Sequence, residues 1–172
     1  MTTVPPLAPH PDANAPGSAT PDERRHAEAT LRRALARYER ARNNAEVQLA
    51  VLALHEGLRQ ALWAWLLGLS SLSRRQRENI EDPHSRMGEL VDLARYHTGL
   101  FVGQRAAWLH ELDLLLDRRN EIAHPVDDMP VATALAAATG WADLIGRLWP
   151  LLLDTPLPDI THPDPAAILS DG

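Results

Sequence analysis

The segment Leu114-Leu-Leu-Asp-Arg-Arg-Asn-Glu-Ile-Ala-His-Pro125 brings an arginine, an amide and an imidazole together at Arg119, Asn120 and His124. On a helix Asn120 and His124 are four residues apart and share a face, whereas Arg119 is turned about 100° from Asn120 and joins them only by swinging its long side chain. Pro125 disfavours helical dihedrals at His124, so the trio stands at a helix end. These groups suit metal-free cleavage of an RNA phosphodiester. An imidazole can take the 2'-hydroxyl proton or give one to the leaving 5'-oxygen. A guanidinium can stabilise charge growing on the phosphoryl oxygens, and the amide can orient the imidazole or hold an oxygen. One imidazole does not readily serve as acid and base in the same step, so a two-fold homodimer would supply the second. A structural role is open to the same residues: a histidine before proline caps the last carbonyls, and an Arg-Asn pair near Asp113 and Asp117 can form a solvated charged face.

Composition narrows the alternatives. The 172 residues contain no cysteine, and all 17 basic residues are arginine. Thiolate nucleophiles, cysteine metal sites, Schiff-base lysines and lysine-dependent phosphate loops are therefore excluded. The eight histidines include no i, i+4 pair, and His55-Glu56 lacks the second histidine of a zinc-protease helix, so no metal and no cofactor are expected. No serine occupies a nucleophile elbow, and no glycine-rich turn follows a strand. A loose spacing of arginine to histidine also occurs at Arg77 to His84 and at Arg105 to His110. The stricter Arg-Asn-x-x-x-His occurs once, against a chance expectation of about 0.02 for this composition.

Holding the trio requires helices. Ala27, Leu31, Ala34, Tyr38, Ala41, Ala45, Leu49 and Leu52 recur at spacings of three and four after a start signal at Pro21-Asp-Glu23. This amphipathic stretch carries seven arginines between 24 and 42, and a break at position 43 or 44 would divide 22–69 into two helices. The run Ala61 to Leu69 is apolar on all sides, with Trp63 and Trp65 pointing about 200° apart. It is expected to be the central helix or to meet a second subunit with its outer face. Residues 70–85 read as a polar loop with a short helix, and helices follow at 86–97, 103–124 and 129–153. Asp127 or Asp128 is the expected cap of the last, with Pro130 in its first turn.

Prolines mark the ends. Pro5, Pro6, Pro9, Pro11, Pro16 and Pro21 crowd residues 1–21, and Pro156, Pro158, Pro163 and Pro165 crowd 154–172, so both are expected to be disordered tails around one helical domain at 22–153. Five of the 23 acidic residues lie in those tails. The domain is left with eighteen against seventeen arginines, and the net charge of −6 argues little against a nucleic-acid partner. There is no secretory leader pattern and no apolar run of about 18 residues, so a cytoplasmic location away from membranes is expected.

An all-helical body with Arg-Asn-Glu-Ile-Ala-His-Pro at the end of its penultimate long helix resembles the HEPN superfamily, the higher eukaryotes and prokaryotes nucleotide-binding domains. Their hallmark is arginine, four to six residues, then histidine. Ala-Val-Leu-Ala-Leu-His-Glu-Gly-Leu-Arg at 50–59 is similar to the second-helix pattern of that family. The resemblance implies an up-and-down bundle of four to five helices that dimerises with its motifs across a cleft. It also implies a metal-independent endoribonuclease of a toxin, phage-defence or RNA-processing system, often beside a nucleotidyltransferase-like antitoxin. Arg119 and His124 would be catalytic and Asn120 supporting. Glu56 and Glu121 are candidates for the cleft wall, and Arg74, Arg75, Arg77 and Arg118 for gripping RNA. Trp108 and Trp141 are candidates to stack on bases or to fill the core, and His55, His97 and His110 to be structural or surface groups. Some members are non-catalytic modules that bind a protein or nucleotide, which is the alternative reading.

Overall fold

The computed structural model describes residues 19–69, 71–82, 84–125 and 128–170, and every regular element among them is helical. The first helix, α1 (Pro21–Arg40), begins with a reciprocal cap. The Thr20 hydroxyl accepts from the Glu23 amide at 3.1 Å, and the Glu23 carboxylate accepts from the Thr20 amide at 2.6 Å. Its apolar stripe, Ala27, Leu31, Ala34, Leu35 and Tyr38, is buried.

The chain turns at Ala41–Asn43, and α2 (Asn44–Leu67) runs back along α1. Two side chains make the break. Asn43 Oδ1 accepts from the Glu46 amide at 3.0 Å, and the Glu46 carboxylate accepts from the Arg42 amide at 2.7 Å. Gly57 lets the pair pack closely, since a Cβ there would stand 3.0 Å from the Leu31 backbone.

Being apolar on all sides, α2 takes the centre of the molecule. It touches α1, α3 (Arg74–Ile80), α4 (Met87–Thr98), α5 (Ala106–Ala123) and α6 (Val131–Leu152). Trp63 and Trp65 are both buried within the single chain, and the Trp63 indole donates to the Ile80 carbonyl at 2.6 Å. Of the two expectations for this stretch, the central helix is the one observed, since the chain's own helices cover both of its faces. Among the described residues no helix is long and apolar enough to cross a membrane.

A 3-10 turn (Gly103–Arg105) leads into α5, which pairs with α6; Leu115 packs where a Cβ on Gly140 would intrude. The start of α6 differs from expectation. Pro130 is itself the N-cap, no side chain among the described residues caps the helix, Asp128 is exposed, and Asp127 lies outside the described residues.

The C-terminal expectation is also corrected. Residues 154–170 pack against α1 and α6 and end in α7 (Pro165–Leu169), whose Ile168 is buried. The Trp149 indole donates to the Thr155 carbonyl at 2.9 Å, Arg32 lies over that indole and reaches the Pro156 carbonyl at 3.3 Å, and His162 Nδ1 meets the Tyr38 hydroxyl at 2.6 Å. Anchors spaced this widely hold a segment whose one apolar run is the short 166–169 stretch of α7. The N-terminal tail, to residue 18, lies outside the described residues.

Candidate functional site

The last turns of α5 present Arg119 and Asn120 to a cleft of about 590 Å³ between α2, α5 and the turn leading into α4. Arg119 Nη1 donates to Asn120 Oδ1 at 3.1 Å, while its Nε is buried with no hydrogen-bond partner among the described residues. Across the cleft the helical spacing of α2 puts His55, Glu56 and Arg59 on one side of that helix. Arg59, almost fully buried, grips Glu56 with two hydrogen bonds of 2.8 and 2.6 Å and donates to the Ser85 carbonyl at 3.2 Å. Arg86 completes a wall with three guanidinium groups and one carboxylate, so the cleft favours an anion.

Burial by itself would raise the Glu56 carboxyl, but hydrogen bonds from Arg59 and Gln60, the charge of Arg59 and, once acid protonates it, that of His55 hold it below its ordinary range. His55 meets the edge of Trp141 with ring centroids 5.6 Å apart. Burial, reinforced by the Arg119 charge, lowers its pKa to about 4, and it stays neutral at physiological pH.

His124 does not join this cleft. It is the C-cap of α5, with φ −133° and ψ 65° and its amide donating to the Asn120 carbonyl, and its exposed imidazole lines a separate hollow of about 320 Å³ with Arg118, Glu121 and Asp128. The helix ends one residue earlier, so the shared face of Asn120 and His124 is not kept. Glu121 belongs to the same hollow, where it pairs with Arg118 at 2.7 Å, whereas Glu56 belongs to the cleft. Within one chain the motif is therefore divided between two openings.

No family model, curated protein or solved structure matches this chain. What the site does must be read from its groups.

The arginines of the polar loop separate. Arg77 donates to the carbonyls of Leu67 and Leu69 and closes the end of α2, a capping role. Arg74 pairs with Glu78 at 2.8 Å, and Arg75 is exposed. Trp141 is fully buried and cannot stack on a base; Trp108 is partly buried beneath Arg147. His97 meets Gln76 at 3.0 Å, and His110 is exposed. Among the described residues no group of three or more His, Asp or Glu is placed to hold a metal. Sequence reading passed over Arg59, Ser85 and Arg86 as cleft residues. The i, i+3 spacing of Glu56 and Arg59 was the available signal for the first, and nothing local marked the other two.

Proposed function

We propose that the chain is a metal-independent endoribonuclease of HEPN type, a toxin or defence effector working as a homodimer in the cytoplasm. It would cut RNA by attack of a 2'-hydroxyl and leave a 2',3'-cyclic phosphate. One observation carries the reading: Arg119 and Asn120 open into a cleft rich in guanidinium groups at the helix end where the His124 imidazole stands exposed and, among the described residues, unpartnered. The cleft would hold the phosphate through Arg119, with Asn120 positioning it, and His124 would move a proton. A second copy docked on this end of an up-and-down bundle would bring the other imidazole, and a nucleotidyltransferase-like antitoxin would restrain the pair.

The division of the motif favours one other reading, a non-catalytic module whose cleft holds a nucleotide phosphate. The test is incubation of the purified protein with RNA in EDTA. The ribonuclease cuts, leaves cyclic phosphate ends, and loses cutting in His124→Ala and Arg119→Ala with fold and dimer intact. Nucleotide binding without cutting would establish the module instead.

A further inference from the structure

The cleft that receives Arg119 holds a second histidine outside the motif. His84 lines it, and also lines an adjoining cavity of about 480 Å³ that shares Glu56 and Arg59. Its side chain is exposed and has no partner among the described residues, but its backbone is fixed. The His84 amide donates to Asp82 Oδ1 at 2.8 Å, the Ser85 amide and hydroxyl both donate to the Asp82 carbonyl, and the buried Arg59 holds the Ser85 carbonyl. A free imidazole on a pinned turn is what proton transfer requires. His55, the other imidazole of the cleft, is packed against Trp141 and held neutral, and His124 faces the other opening.

We propose that His84 is a second acid–base imidazole of the phosphodiester site, supplied to Arg119 and Asn120 by the turn between α3 and α4 of the same chain. The proposal rests on the ribonuclease reading. In the step, the 2'-oxygen bonds to phosphorus as the bond from phosphorus to the 5'-oxygen breaks. One imidazole accepts the 2'-hydroxyl proton, and the other, protonated, gives a proton to the departing 5'-oxygen, so no co-reactant is consumed. His84 carries one of these transfers, and the His124 imidazole that the second copy of the proposed dimer brings to this cleft carries the other.

Cleavage of RNA in EDTA by the full chain tests this. His84→Ala and His84→Gln should each slow cutting about 100-fold or more, the range of a lost acid or base. Added free imidazole should restore part of the rate to His84→Ala, a rescue that a merely structural role would not give. A 2'-deoxy analogue of the RNA, which cannot be cut, should shift the imidazole NMR resonances of His84 while leaving those of His97 unmoved. Cutting by His84→Ala within threefold of the parent, or no His84 shift with the analogue, overturns the proposal and leaves the ribonuclease reading standing on Arg119 and His124. A parent protein that cuts no RNA overturns the ribonuclease reading itself, and the role of His84 with it.

Discussion

The two openings at the end of α5 are built differently. The Arg119 cleft is continuous with the core: Arg59 is buried in its wall, His55 leans on Trp141, and the ion pair of Glu56 ties the wall to the 84–86 turn through Ser85. The His124 hollow is a surface feature, with exposed Arg118, Glu121 and Asp128 around an exposed imidazole. Groups locked by packing hold geometry but cannot be altered without disturbing the fold, whereas solvated groups can be exchanged at little cost. Loss of activity in His124 variants therefore reports chemistry, while loss in cleft-wall variants mixes chemistry with stability.

The sharpest break in that contrast comes from the core behind His55. Trp141→Ala should destabilise by about 3–5 kcal/mol, the cost of emptying a fully buried indole site. It should also free His55, and urea unfolding followed by far-UV circular dichroism measures the loss. A change below about 1 kcal/mol would mean that the packing behind His55 does not tie the cleft to the core.

Acid should act on the cleft next. The pKa of His55 is lowered to about 4 in the folded chain and is ordinary when unfolded, so the unfolded state binds more protons between those values. Stability should be full above about pH 6.5 and should fall by about 2–3 kcal/mol as the pH approaches 4.5. Glu56, also lowered, adds to the loss as the pH drops through the carboxylate range. Urea midpoints at pH 7, 5.5 and 4.5 should show the decline, and His55→Leu should flatten it.

Arg59→Leu tests the wall. It strips Glu56 of its bidentate partner and leaves the Ser85 carbonyl without a donor, but Glu56 is half-exposed and water takes over part of the bond. The expected cost is about 2–3 kcal/mol, below that of a fully buried pair. The Glu56 carboxyl should move back up toward its ordinary range, which carbon-detected NMR titration would record.

Legibility in the sequence followed the same divide. Helices with a buried stripe and a local end signal were readable: Pro21-Asp-Glu23, the asparagines at 43 and 44 and Pro125 all mark observed ends. The 154–170 segment was not, because it is held by carbonyls of Thr155 and Pro156 and by isolated anchors such as Ile168, and backbone acceptors leave no trace in composition. Trp63 and Trp65 left a central helix and a second subunit both open, because the ability of neighbouring helices to wrap one helix on both sides is a tertiary fact. At the site, Arg119, Asn120 and His124 stood out through rarity of spacing. His84 did not, since its place in the same cleft as Arg119 depends on how the turn before α4 lies against α2.

The smallest expected effect lies in the hollow. Arg118 and Glu121 pair at 2.7 Å with both side chains half-exposed, an i, i+3 contact in which water competes for each charge. Glu121→Ala should therefore change stability by no more than about 0.5 kcal/mol, and salt should erase even that. In the RNA assay, freeing Arg118 beside His124 should tighten substrate binding, lowering KM with kcat little changed, because it adds a cation for the backbone without touching the imidazole. A destabilisation of 2 kcal/mol or more would show the hollow to be tied to the core like the cleft, and would remove the distinction between the two openings.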